Sequence, residues 1–204
     1  MEIIGLCGGS GSGKGMVSSI FAERGFKHID TDAVYHFLTS FPSPCLRELA
    51  DAFGMQIIKN GKLDRKALGK IVFSEDATGE KRKTLNSISH RHILTRTREL
   101  IAKYETEGAI GVVVDAPLLF ESSFDRICTS IVCVVADEKI RISRIMERDG
   151  ITGQSAYLRI RTQLPDDYLI QRSDYCIENN GTVEELRDAT LSVINKLINK
   201  KEEI

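Results

Sequence analysis

Gly8-Gly9-Ser10-Gly11-Ser12-Gly13-Lys14 follows the apolar run Ile3-Ile4-Gly5-Leu6-Cys7 and precedes Val17, Ile20 and Phe21, three apolar residues at helical spacing. This order predicts a strand, a glycine-rich turn and a helix, the arrangement that builds a phosphate-binding loop. Glycines let successive backbone N–H groups turn inward, the helix N-terminus adds its partial positive charge, and a lysine reaches the β- and γ-phosphates. The spacing from Gly8 to Lys14 fits G-x-x-x-x-G-K. The next position departs from the motif. A Ser or Thr there supplies a hydroxyl to Mg²⁺, and this chain has Gly15 and then Met16. The reading is a nucleotide held along Gly9, Ser10, Gly11, Ser12, Gly13, Lys14, Gly15 and Met16, with a metal site of altered build.

Further strands are expected at His28-Ile29, Ile110–Val114, Ile131–Val135 and Tyr175–Ile177. Val112-Val113-Val114 and Ile131-Val132-Cys133-Val134-Val135 are continuously apolar, as strands covered on both faces are. Helices are expected over residues 14–24, 80–106 and 138–148. On the second of these, Leu85, Ile88, His92, Thr95 and Leu100 fall along one face. A last helix opens on a capping box at Thr182-Val183-Glu184-Glu185 and keeps Leu186, Val193, Leu197 and Ile198 together. Strands alternating with helices predict a doubly wound parallel sheet. Two segments break the alternation. One is a largely helical insertion between Phe37 and Gly108, punctuated by Asn60-Gly61. The other, residues 139–172, carries Arg141, Arg144, Arg148, Arg159, Arg161 and Arg172 and is broken at Gly150 and Gly153.

The 204 residues suit one α/β domain with insertions, and 42% hydrophobic with 28% charged residues describes an ordinary globule. A net charge of −1 offers no basic field for nucleic acid. No apolar run approaches a membrane span, and the chain enters its first strand without a charged-then-apolar leader. The five cysteines have no C-x-x-C spacing for zinc. Cys7, Cys133 and Cys176 lie in apolar runs and read as small core residues of a reduced cytoplasmic protein.

Asp30-Thr31-Asp32 ends the second strand, where carboxylates of a parallel sheet face the crevice of the phosphate loop. Asp30 reads equally as a helix cap or a site residue, and Asp32 as an acceptor for a hydroxyl proton or a Mg²⁺ holder. Asp115, after Val112-Val113-Val114, has the form of a Walker B aspartate, holding Mg²⁺ directly or through water. Its neighbour is Ala116, not the glutamate of motor ATPases, and no D-x-x-G follows. A kinase is favoured over an ATPase or a GTPase. The arginines of 139–172 suit a lid that closes over phosphates and excludes water. His90 and His92 are two apart on a helix and share no face for a metal, which leaves a substrate contact or packing for His90.

Several stretches together resemble the dephospho-coenzyme A kinase family. They are Gly5–Lys14, Ile29-Asp30-Thr31-Asp32, Gly61-Lys62-Leu63-Asp64-Arg65 and Asp115-Ala116-Pro117-Leu118-Leu119-Phe120-Glu121. Next come Arg144-Ile145-Met146-Glu147-Arg148-Asp149-Gly150 and Gln163-Leu164-Pro165. Last is Asp174-Tyr175-Cys176-Ile177-Glu178-Asn179-Asn180-Gly181. The resemblance spans nearly the whole chain in order. It implies a cytoplasmic P-loop kinase that phosphorylates the ribose 3′-hydroxyl of dephospho-coenzyme A with ATP and Mg²⁺, giving coenzyme A and ADP. On that pattern Asp32 is the base, Lys14 and Arg144 act on the transferred phosphoryl group, and Arg144 with Arg148 covers ATP. Asp32, His90, Asp115 and Leu118 meet the acceptor, and Asp32 and Asp115 steer Mg²⁺ through water.

The implied fold is an α/β P-loop NTPase core with a doubly wound five-stranded parallel sheet, a helical substrate-binding insertion and a helical lid. It forms one kinase domain: core about 1–38, 108–138 and 173–204, insertion about 39–107, lid about 139–172. Implied partners are ATP and dephospho-coenzyme A, with no nucleic acid or membrane, in a monomer or small homo-oligomer. Beside Gly15-Met16, the chain departs from the family in having His90-Arg91 for the usual His-Pro. Two other readings stand beside an active enzyme: a degenerate nucleotide- or coenzyme-A-binding regulator, and a kinase for another nucleoside or small alcohol.

Overall fold

The first strand and the helix after it form where the loop motif requires them. The computed structural model describes residues 1–73 and 79–199. Residues 74–78 of the expected insertion and 200–204 of the expected core therefore lie outside the described residues. The chain opens with β1 (Glu2–Cys7), α1 (Lys14–Glu23), β2 (Lys27–Asp30), α2 (Thr31–Leu38), α3 (Pro44–Phe53), β3 (Ile58–Lys59) and β4 (Lys62–Leu63). It continues with α4 (Arg65–Val72), α5 (Glu80–Thr106), β5 (Gly111–Asp115), β6 (Ser130–Val135) and α6 (Glu138–Asp149). It ends with α7 (Gly153–Arg161), α8 (Asp166–Gln171), β7 (Tyr175–Glu178) and α9 (Val183–Asn199). Packing divides it into two units, Met1–Ile29 with Lys103–Ile204, and Asp30–Ala102.

The first unit is built on a five-stranded sheet in the order β2-β5-β1-β6-β7, with β1 central. β1 runs parallel to β5, Leu6 beside Asp115, and parallel to β6, Cys7 beside Cys133. β6 runs parallel to β7, Cys133 beside Cys176. The turns after β1 and β5 therefore lie side by side at the C-terminal ends of neighbouring strands, where the chain reverses its winding direction and open α/β sheets bind ligands. One sheet face buries Ile4, Leu6, Val132, Val134 and Ile177 against Val17, Ile20 and Phe21 of α1 and Leu186, Val193, Ile194 and Leu197 of α9. The expected stripe of α9 holds except at Ile198, which is exposed; Ile194 takes its place in the core. The capping box is formed: Glu185 N–H donates to Thr182 Oγ1 (3.2 Å) and Thr182 N–H donates to Glu185 Oε2 (2.7 Å). A cap of this kind is worth about 1 kcal/mol.

The strand readings hold, with ends shifted by a residue or two. Cys176 is corrected: β7 is an edge strand, so the apolar run around Cys176 buries Ile177 and leaves Cys176 exposed. Gly153 is corrected too. The break between α6 and α7 is Gly150 with the two residues after it, and Gly153 is already the first residue of α7, capped by Thr152.

The second unit has its own core, formed by Cys45, Leu49, Phe53, Ile57, Leu68, Val72 and Ile88, with Tyr35 and Leu85 packed on it. Its helices α2, α3 and α4 start on side-chain caps. Asp30 Oδ1 accepts from the Asp32 and Ala33 N–H groups, Ser43 Oγ from Leu46 N–H, and Asp64 Oδ1 from Lys66 and Ala67 N–H. Asn60 (φ 53°) and Gly61 (φ 73°) form the two-residue turn of the β3–β4 hairpin, as Asn-Gly between short strands does. The buried stripe of α5 is Ile88, Ser89, Ile93, Thr97 and Ile101, which shares Ile88 with the expected face but turns away from the rest of it. Thr95 is exposed, and Leu85, His92 and Leu100 lie half-buried at its margin.

Candidate active site

In the first unit the phosphate loop is held from behind by side chains distant in sequence. Gly13 (φ 98°) caps α1, and a β-carbon there would strike the Asn179 amide, so glycine is required on two counts. Asn179 Nδ2 donates to Ser12 O (2.7 Å). Arg144 Nη1 donates to Asn179 O (3.1 Å) and Gly11 O (3.3 Å), and its Nη2 to Asn179 Oδ1 (3.3 Å). Arg141 is the stronger anchor. Only 4% exposed, it donates from Nε to Ser10 O (2.9 Å), from Nη2 to Gln163 Oε1 (3.1 Å) and from Nη1 to both oxygens of Asp166 (2.9 and 3.1 Å). Gln163 completes the clasp: its Oε1 accepts from Ser10 N–H (2.9 Å) and its Nε2 donates to Ser10 Oγ (3.1 Å). The Ser12 side chain is buried beneath the loop, and Ser12 Oγ finds no hydrogen-bond partner among the described residues.

At the foot of the loop Lys14 Nζ makes an ion pair and hydrogen bond with Asp115 Oδ1, both side chains largely buried. His28 Nε2 approaches Asp115 Oδ2 at 3.9 Å. Burial alone would push the Asp115 carboxyl up. The His28 ring and the Lys14 ammonium outweigh it and hold the carboxyl below its usual range. Leu118 is exposed on the turn after β5 and, with Cys7, Gly8, Phe120 and Gln163, lines a cavity of about 120 Å³ beside the loop. Met16 is exposed, and a β-carbon at Gly15 would meet open space.

Arg148 is exposed on the last turn of α6 and pairs with Asp149 (2.7 and 3.0 Å). Asp149 also pairs with Arg159, which ties α6 to α7. The Arg148 hydrogen bond, opposed by some desolvation, and then Arg159 hold the Asp149 carboxyl at about 2. Arg172 bonds Asp125 (3.1 Å) and stacks over the Phe120 ring (4.7 Å). The arginines of 139–172 are thus not one exposed set. Arg141 and Arg144 shape the loop, Arg159 ties α7 to α6, and Arg148 pairs with its neighbour Asp149 in solvent.

In the second unit Asp30 caps α2, as the first of its two readings expects. Asp32 lies exposed in the first turn of α2. His90 is half-buried on α5. His92 bonds Glu48 of α3 (2.8 Å), and Arg91 pairs with the other Glu48 oxygen. Arg91 and His92 therefore both tie α5 to Glu48 of α3.

Three residues of the first unit that touch the loop or Asp115 were not singled out in the sequence, His28, Gln163 and Asn179, and Arg141, expected among the lid arginines, is an anchor of the loop. Gln163 and Asn179 stand inside stretches that carry the family resemblance. The roles of His28 and Arg141 depend on which strand and helix lie beside them, which spacing alone does not reveal. If Arg141 shapes the loop, Arg141→Gln should lower stability by about 2 kcal/mol, as losing hydrogen bonds from a buried charged group does. It should also speed limited proteolysis within residues 150–165 in the absence of ligand. An unchanged melting temperature and cleavage rate would show that Gln163 and Asn179 hold the loop alone.

The parallel sheet, the glycine-rich turn opening α1, Lys14 and the aspartate ending β5 define a P-loop kinase fold. A family model described as dephospho-CoA kinase matches residues 2–185. The chain is 36% identical over 197 residues to a dephospho-CoA kinase of Carboxydothermus hydrogenoformans, covering 96% of this chain and 94% of that one. It is 40% identical over 185 residues to one of Fusobacterium nucleatum, covering 90% and 92%. A crystal structure of TT1252 from Thermus thermophilus is similar with a TM-score of 0.77 at 30% identity, covering 96% of this chain and 97% of that one. The chain belongs to the dephospho-CoA kinase family. Members of that family are ATP-dependent kinases of coenzyme A biosynthesis. Among the described residues no helix is long and apolar enough to cross a membrane.

Proposed function

We propose that this chain moves the γ-phosphoryl group of ATP to the ribose 3′-hydroxyl of dephospho-coenzyme A. The observation that carries the reading is the phosphate loop with Lys14 at its foot, in a chain of this family. The buried Ser12 hydroxyl supports it, because a phosphate oxygen is the partner that such a group under such a loop would take. On ATP binding, Lys14 exchanges Asp115 for the β- and γ-phosphates. Arg144 keeps Gly11 in place as charge develops, and residues 139–172, including Arg148, act as the lid. Asp32 receives the 3′-hydroxyl proton as the oxygen attacks the γ-phosphorus and ADP leaves. The helical segment 39–107 receives the acceptor, with His90 on it, and Leu118 contacts the acceptor from the turn after β5.

The family implies Mg²⁺. The donor set fits an ion held through water. Asp115 is an ionised carboxylate, position 15 has no hydroxyl, and no group of three His, Cys, Asp or Glu among the described residues forms a metal cage. Mg²⁺, when bound, neutralises phosphate oxygens; Asp32 and Asp115 would orient its waters. Gly15→Ser should lower the Mg²⁺ concentration for half-maximal rate. Its added β-carbon meets no neighbour, and removing a helix glycine should stabilise the metal-free protein by roughly 0.5 kcal/mol. Equal Mg²⁺ requirements in the two proteins, together with the expected rise in melting temperature, would show that the hydroxyl is dispensable here.

Coupled ADP release with dephospho-coenzyme A, adenosine and nucleoside monophosphates as acceptors tests the whole reading. Turnover should be restricted to dephospho-coenzyme A. Equal or faster turnover with another acceptor would reassign the substrate. ATP binding without turnover would make the chain a nucleotide-binding relative.

A further inference from the structure

Cys7, Cys133 and Cys176 lie in one row across three neighbouring strands. Cys7 is in register with Cys133, and Cys133 with Cys176. In-register residues of parallel strands point to the same sheet face, and neighbouring strands are about 4.8 Å apart. That spacing lies inside the Cα separation of about 4.4–6.8 Å that a disulfide needs. Ser173 Oγ sits beside the row, 3.8 Å from Cys7 Sγ. The row runs from the surface to the phosphate loop: Cys176 is exposed on the edge strand, Cys133 is fully buried, and Cys7 is buried immediately before Gly8.

Burial dictates the order of any oxidation. Desolvation pushes the Cys133 thiol up to about 12 and the Cys7 thiol up to about 11, so both stay protonated and out of reach of solvent. An aqueous oxidant meets Cys176 first. Cys133 is its in-register neighbour. Cys7 is two strands away, about twice the inter-strand spacing and outside disulfide range.

We propose that Cys176 is a peroxide-reactive thiol that closes a reversible disulfide with Cys133 beneath the phosphate loop. The Cys176 thiolate attacks hydrogen peroxide, an S–O bond forms, the O–O bond breaks, and hydroxide leaves to become water. The Cys133 sulfur then attacks the Cys176 sulfenic acid. The S–S bond forms, the S–O bond breaks, and the hydroxyl leaves as a second water with the Cys133 proton. Two thiols lose two electrons in all, and one peroxide becomes two waters.

The test is peroxide treatment of the full chain, native alkylation and peptide mass spectrometry. The expected result is one intrachain link between Cys133 and Cys176, a mass loss of two hydrogens, and complete reversal by dithiothreitol. Cys176→Ser should form no disulfide and keep its kinase turnover in the absence of peroxide. Cys133→Ser should leave a Cys176 sulfenic acid that dimedone traps. If a serine at the buried position prevents folding, the wild-type mapping and Cys176→Ser still decide the matter. Cys176 driven to sulfinic acid with Cys133 free, a Cys7–Cys133 link, or a Cys176–Cys176 link between chains would each overturn the proposal.

Discussion

Asp32→Asn is expected to lower turnover by about 10²–10⁴-fold while leaving ATP affinity nearly unchanged. Asparagine keeps the shape of the side chain and removes its ability to take a proton, and general-base help is worth that range. The helix cap of α2 is Asp30, not Asp32, so the substitution leaves the start of the helix intact. The helix-dipole part of the change is small, since a carboxylate in a helix first turn contributes roughly 0.3–1 kcal/mol in this way. Steady-state ADP release, an ATP-binding titration and a melting curve on one preparation separate these effects. Turnover within about threefold of wild type would remove Asp32 from the proton-accepting role. An equal loss of ATP affinity would move Asp32 from the acceptor side to the nucleotide.

Lys14→Met is expected to cost catalysis and stability together, for different reasons. The ammonium is a preorganised charge for the transferred phosphoryl group, and removing one such donor typically costs about 10²–10³-fold in turnover. In the free protein the same ammonium neutralises Asp115, a largely buried carboxylate that His28 Nε2 also approaches at 3.9 Å. Without Lys14 the carboxylate is left poorly compensated, and stability should fall by about 2 kcal/mol. The double variant Lys14→Met/Asp115→Asn should recover part of the lost melting temperature, because no buried charge is left behind, and none of the lost turnover. Recovery of both would mean that the lysine serves the fold alone. Recovery of neither would mean that the ion pair does not set the stability of this end of the sheet.

The phosphate loop was legible because all its determinants are local. Backbone freedom at glycine, a helix N-terminus and one lysine fall within a few residues of one another, so spacing carries the chemistry. The strands on either side were legible because a strand covered on both faces must be continuously apolar. Edge strands and long helices were read less well. Cys176 and Tyr175-Ile177 look alike in composition, yet one sheet face at β7 is open and the other is packed against α9. On α5 several faces satisfy a helical period, and the sequence alone does not select the one that buries Ile93, Thr97 and Ile101.

By itself, then, the sequence determined the parallel α/β sheet, the loop that takes phosphate, the aspartate beside it and the kinase family, since each is carried by short-range pattern or by ordered motifs. Only the tertiary structure decided which arginines serve the loop. The resemblance singles out Arg144 and Arg148, but the run of charges itself does not say what Arg141, Arg144 or Arg148 touches. Burial and partners separate them: Arg141 is desolvated against Ser10 and Asp166, Arg144 reaches Gly11 and Asn179, and Arg148 stays in solvent with Asp149. A charge takes its role from its partners and its distance from water, and for Arg141 and Arg144 the partners on the loop are more than a hundred positions away in sequence.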